Sequence, residues 1–167
     1  MATEPKIIEK DDLKDIVQTF LSEGGTLADI RGFEEKDMEV IYSMGYQLYN
    51  HGKYKDAEDV FKFLSFYNHL ERKYLMGLGA CRQMLKNYEG AVQAYGYAAM
   101  LDVEDPSAHL HAADCLLALE RLGEAESALE ATVHWAGDKP EHAKTKGRAQ
   151  GLLQLIKEKD KTEGAQS

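Results

Sequence analysis

A step of 34 residues runs through the middle of this chain and limits what it can fold into. Gly45, Gly79 and Ala113 keep that step, as do Ala57, Ala91 and Ala125. Phe61, Tyr95 and Leu129 keep it too, and so do Tyr54, Tyr88 and Leu122. A recurrence of this length is one supersecondary unit repeated, each unit burying its apolar face only by stacking on its neighbours. The first two columns are small residues, which let paired helices approach where a larger side chain would push them apart. Turn-forming residues fall between the helices at Asn50-His51-Gly52-Lys53, Lys86-Asn87 and Glu120-Arg121.

Two antiparallel helices per 34 residues, with small residues at the eighth and twentieth places, is the tetratricopeptide pattern. The expected fold is therefore all-α: three tandem repeats at 38–71, 72–105 and 106–139 within a unit spanning 38–139. A helical region at 1–37 precedes them, and a capping helix at 140–156 and a flexible tail at 157–167 follow. Three features depart from the pattern. Arg82 stands at a usual aromatic place, His109 replaces a bulky residue, and the usual terminal proline is missing from each repeat. Pro106 instead suits the first turn of a helix, where a missing N–H costs nothing.

In the N-terminal region Leu13, Ile16, Val17, Phe20 and Leu21 fall at i, i+3, i+4, i+7 and i+8, an apolar stripe on an otherwise polar helix. Gly24-Gly25 ends that helix, and Thr26 to Asp29 reads as a capped turn. Near the other end Ala149, Leu152, Leu153 and Ile156 form a second stripe.

Composition excludes several classes of function. With 29 Asp and Glu against 20 Lys and Arg, the net charge of −9 disfavours a partner held by its phosphates, so no nucleic acid is expected. No run reaches the roughly 18 apolar residues of a membrane span, and the polar N-terminus does not read as an export signal. A cytoplasmic protein with no direct membrane insertion is expected. Cys81 and Cys115, one repeat apart, read as free buried thiols, because packed helices hold them too far apart to bridge.

No nucleophile motif, phosphate loop or paired-carboxylate arrangement is present, so neither an enzyme nor a cofactor is expected. His111 and Cys115 lie one helical turn apart, but zinc needs three or four ligands and no others are at hand, so no metal site is expected.

Binding is where the register leads. The first helix of each repeat lines the inside of a tetratricopeptide superhelix, so its fifth, ninth, twelfth and thirteenth places face a groove. In the first repeat these are Tyr42, Tyr46, Tyr49 and Asn50, and in the second Met76, Ala80, Gln83 and Met84. In the third they are Leu110, Asp114, Leu117 and Ala118. Tyrosines bury ring area while their hydroxyls bond a bound backbone, methionines adapt to varied side chains, and Gln83 and Asp114 offer polar partners. Such a groove suits an extended peptide. The carboxylate-gripping kind of tetratricopeptide groove needs a cation at the first repeat, where Tyr42 and Tyr46 stand; Lys73 adds a single charge. A general interaction scaffold joining folded partners is the alternative reading.

Gly24-Gly25-Thr26-Leu27, the tyrosine stripe, Gly52-Lys53-Tyr54, Leu78-Gly79-Ala80-Cys81-Arg82-Gln83 and His111-Ala112-Ala113-Asp114-Cys115 together resemble the class II chaperones of bacterial type III secretion. The resemblance covers roughly residues 13 to 135. It implies a cytosolic chaperone that keeps hydrophobic translocator proteins soluble and exportable. A short proline- and leucine-containing segment near the client's N-terminus would sit in the groove, with His69 added to the groove positions. It also implies a homodimer through the N-terminal region, here Leu13, Ile16, Val17 and Phe20.

Overall fold

The computed structural model describes Thr26 and residues 31–164, with side chains as far as 159. The amphipathic stripe with Leu13, Ile16, Val17 and Phe20, expected to form a dimer, and the Gly24-Gly25 break lie outside the described residues. Between residues 35 and 164, seven α-helices follow one another: α1 (Glu35–Asn50), α2 (Tyr54–Tyr67), α3 (Arg72–Met84), α4 (Tyr88–Leu101), α5 (Pro106–Ala118), α6 (Leu122–Ala136) and α7 (Ala143–Gly164). Each packs on the next, a single 3₁₀ turn at Pro140–His142 leads into α7, and the described residues include no strand. Contacts of α1 with α3, and of α5 with α7, run past the intervening helices and build one wall of the stack.

The columns of the repeat explain the packing. Ala57, Ala91, Ala125 and Ala113 have no exposed surface. What lies on Gly79 is the aromatic column of the partner helix, and on Gly45 that column together with Val60, rather than the alanine column. A Cβ on Gly79 would lie 2.6 Å from Cε1 of Tyr95, and one on Gly45 would lie 3.3 Å from Cζ of Phe61. A first core gathers Met38, Phe61, Leu64, Tyr74, Leu78 and Cys81, and a second gathers Leu110, Ala113, Leu129, Ala149 and Ile156. Met44, on α1 beside the buried Gly45, is half exposed. Cys81 and Cys115 are free and buried, as expected.

The turns repeat as strictly as the helices. Gly52, Lys86 and Glu120, each one step of the repeat apart, all take positive φ, at 74°, 61° and 59°. The next residue's N–H then donates back across the helix end, from Lys53 to Leu48, Asn87 to Arg82 and Arg121 to Leu116, each at 2.9 Å. At the start of α5 the Asp105 side chain accepts from the Ser107 N–H at 2.8 Å, with Pro106 in the first turn.

Arg82 finds a use for its unusual place. Its Nε lies 3.3 Å from Oε1 of Glu58, and one terminal nitrogen donates to the Gly90 carbonyl at 2.9 Å, tying α2, α3 and α4 together. After the repeats, α7 runs on to Gly164, beyond the Ile156 at which a capping helix was expected to stop. Residues 157 to 163 are free of glycine and proline and hold several good helix formers, so nothing in them breaks the helix.

Candidate functional site

Three tyrosines at i, i+4 and i+7 on α1 open onto a cavity of about 440 Å³, which they share with Met76, Gly77, Ala80 and Gln83 of α3. Phe61 of α2, Tyr95 of α4 and His111 of α5 close its floor and far side, while Arg72 and Lys73 border it from the start of α3. The phenol rings are not sealed by the protein's own helices: Tyr46 is 54% exposed, and Tyr42 and Tyr49 are half-buried.

Ring contacts hold this wall in shape. Tyr42 stacks on Tyr46 with centroids 6.4 Å apart and meets Phe61 edge-on at 5.9 Å, while Tyr49 meets Tyr54 at 5.3 Å. Lys73 pairs with Glu39 and lies 5.1 Å from the centre of the Tyr42 ring, so its charge is already engaged. Arg72 is engaged likewise, 2.8 Å from Asp105 and 2.9 Å from the Ser107 hydroxyl.

On the far side the Tyr95 hydroxyl donates to Gln83 Oε1 at 2.9 Å, and His111 lies nearly parallel to the Tyr95 ring at 5.3 Å. Burial pushes the Tyr95 phenol well above its usual range and lowers His111, so the site holds a neutral phenol and favours a neutral imidazole. These are surfaces for apolar contact and main-chain hydrogen bonds.

Of the positions expected to face a peptide, the structure brings Tyr42, Tyr46, Tyr49, Lys73, Met76, Ala80 and Gln83 around this one cavity. Asn50, His69 and Met84 are exposed but lie outside its lining. The third-repeat positions need correction. Leu110 is only 6% exposed, within the second core, and Leu117 packs against that same cluster. Asp114 is held by Arg148 of α7 through two hydrogen bonds of 2.9 and 2.7 Å. The cause is α7, which packs on α5 and α6 and covers the face that the repeat register alone leaves open.

Phe61, Arg72, Gly77, Tyr95 and His111 are the lining residues that the register missed. Phe61 and Tyr95 were visible only as a repeat column, and the missing side chain of Gly77 brings the Phe61 ring to the cavity. Around His111 and Cys115, as elsewhere among the described residues, no group of three or more potential metal-ligating side chains comes together. Cys115 itself has no exposed surface, and burial pushes its thiol up to about 11. No helix among the described residues is long and apolar enough to cross a membrane.

Comparison with known proteins bears on the same features. Tetratricopeptide repeat family models match residues 38–69 and 84–149. Low calcium response locus protein H of Yersinia pseudotuberculosis is 37% identical over 147 residues, which cover 88% of either chain. The structure of the type III secretion translocator chaperone SycD of Yersinia enterocolitica, in complex with a peptide of the translocator YopD, is 37% identical. It matches over 76% of this chain and 97% of SycD with a TM-score of 0.73. This chain belongs to the class II translocator chaperones of type III secretion. A type III secretion complex from Aeromonas hydrophila superposes on the chaperone with a TM-score of 0.84 at 37% identity, covering 88% of it and 98% of the Aeromonas chain.

Proposed function

We propose that this chaperone works in the bacterial cytoplasm by holding an extended, apolar, N-terminal segment of a translocator in the groove between α1 and α3. The observation that carries this reading is the open cavity itself, aromatic along one wall and unfilled by the chain's own side chains. A translocator must present apolar surface to a membrane, and that surface aggregates if left exposed in water. Masking part of it favours the soluble, exportable state by mass action and requires no chemical step. The groove needs no nucleotide for this, and the chain acts as a binder rather than an enzyme.

Tyr46 supplies the test, since it is the most exposed of the three tyrosines and its ring rests on Tyr42 rather than in the core. Tyr46→Ala should fold normally and bind its client about tenfold more weakly, a loss of about 1–2 kcal/mol. Co-purification with a type III secretion translocator, followed by titration calorimetry, measures it. Unchanged affinity in a folded variant would remove Tyr46 from the site.

A further inference from the structure

We propose that Tyr95 is a positioning residue for the groove, and that its hydroxyl sets Gln83 to donate a hydrogen bond to a main-chain carbonyl of the bound segment. This inference rests on the groove being the client site. A segment entering the cavity leaves water along its whole backbone, and each carbonyl that finds no donor there weakens binding. The phenol hydroxyls of Tyr42, Tyr46 and Tyr49 are donors on the α1 wall. From α3, Lys73 and Arg72 already face Glu39 and Asp105, and Gln83 adds a carboxamide.

Gln83 differs because one end of its carboxamide is occupied and the other is not. Oε1 accepts the Tyr95 hydroxyl at 2.9 Å, and no bond within the protein engages the Nε2 hydrogens among the described residues. A carboxamide with its oxygen so engaged turns its two N–H bonds elsewhere, and Gln83 borders the cavity. The Tyr95 ring cannot swing to release it. Its relative exposure is 1%, Gly79 lies against it so closely that a Cβ would come within 2.6 Å, and His111 stacks on it at 5.3 Å. Burial keeps the phenol protonated, hence a donor, across the physiological range. In this arrangement the buried tyrosine occupies the oxygen end of the glutamine and leaves the N–H end for the groove, although the client need never touch it.

The experiment uses the full chain with a synthetic peptide of the translocator YopD, together with peptides tiling a translocator that co-purifies with this chain. The peptide that wild type binds is carried forward to calorimetry and to NMR of the glutamine side-chain amides. Tyr95→Phe keeps the ring and removes the hydroxyl, and should weaken binding about fivefold, with Gln83→Ala losing a similar factor. Gln83→Glu keeps an oxygen for Tyr95 but offers the groove a second acceptor, and should weaken binding about tenfold or more.

In wild type the Gln83 amide protons should move downfield on peptide binding, and in folded Tyr95→Phe that shift should shrink, which a merely structural role for Tyr95 would not produce. Replacing the accepting amide of the peptide by an ester should weaken wild type but leave Gln83→Ala unchanged, which isolates the pair from any effect on folding. Gln83→Glu binding as well as or better than wild type, or unmoved Gln83 amide protons in a saturated complex, would overturn the proposal and leave the groove reading intact. A wild-type protein that binds none of these peptides would overturn both.

Discussion

Gly79→Val is expected to lower the unfolding free energy by about 3 kcal/mol, the upper range for overpacking a well-filled core. The first carbon of any side chain at that place would lie 2.6, 2.8 and 2.9 Å from three carbons of the Tyr95 ring. That ring is buried and stacked on His111, so α3 and α4 would have to separate. Urea unfolding measures the loss. Gly96→Ala is the control: it also replaces a helical glycine, but a Cβ there meets nothing within 4 Å. It should raise stability by about 0.5–1 kcal/mol through helix propensity alone. Equal effects at the two glycines would contradict the close approach of α3 to α4.

Glu58 should give the second large effect. Its carboxylate is buried, with 6% of the residue exposed, and lies 2.9 Å from Lys55, 2.9 Å from Lys62 and 3.3 Å from Arg82. Burial works against the charge, but the hydrogen bonds from Lys55, Lys62 and Arg82 outweigh it and bring the group from its ordinary 4.5 to about 2. Glu58→Ala leaves the Arg82 guanidinium, only 20% exposed, without its carboxylate. A loss of about 2–3 kcal/mol is expected, less than for a fully buried pair because both lysines reach water.

The same group sets an acid limit on stability. A carboxylate whose pKa is lower in the folded state stabilises above its unfolded value and loses that contribution as pH falls through the folded value. Wild-type stability should therefore decline between about pH 4.5 and about pH 2, and Glu58→Gln should flatten that decline. Denaturant titrations at several pH values check it; identical slopes for the two proteins would contradict the network.

Much of the architecture was legible because a repeat shows its packing twice over, once in each column and again in each row. The small residues at Gly45, Gly79, Ala57 and Ala91 announce helices in close contact, and the turn residues mark where they reverse. The tyrosine stripe was legible for a similar reason. A first helix has one face toward its partner and another toward the groove, so Tyr42, Tyr46 and Tyr49 could be assigned from register alone.

What failed was the third repeat, and the reason lies outside that repeat. Arg148 stands one step of the repeat beyond Asp114, and α7 takes the place of a further first helix, pairing with Asp114 and packing on Leu110 and Leu117 through the second core. A stripe of apolar residues near the C-terminus predicted that α7 caps the stack, but not which side chains it would take from the groove. Tyr95 and His111 escaped for the opposite reason. A buried ring at a core column gives no sign in sequence that its edge or its hydroxyl reaches a cavity wall.

The central claim, that this cavity is where the client lies, is tested most directly by filling it. Ala80 lines the cavity beside Tyr46, Met76 and Gln83 and is itself half-buried, so Ala80→Trp puts an indole where a client side chain would go. Calorimetry of the tiled translocator peptides should then find binding at least about thirtyfold weaker, roughly 2 kcal/mol, in a protein that still melts cooperatively. Phe66→Ala, at an exposed ring outside the cavity, should bind as wild type does. Full affinity in the Ala80→Trp protein, or loss in the Phe66→Ala protein alone, would place the client elsewhere on the molecule.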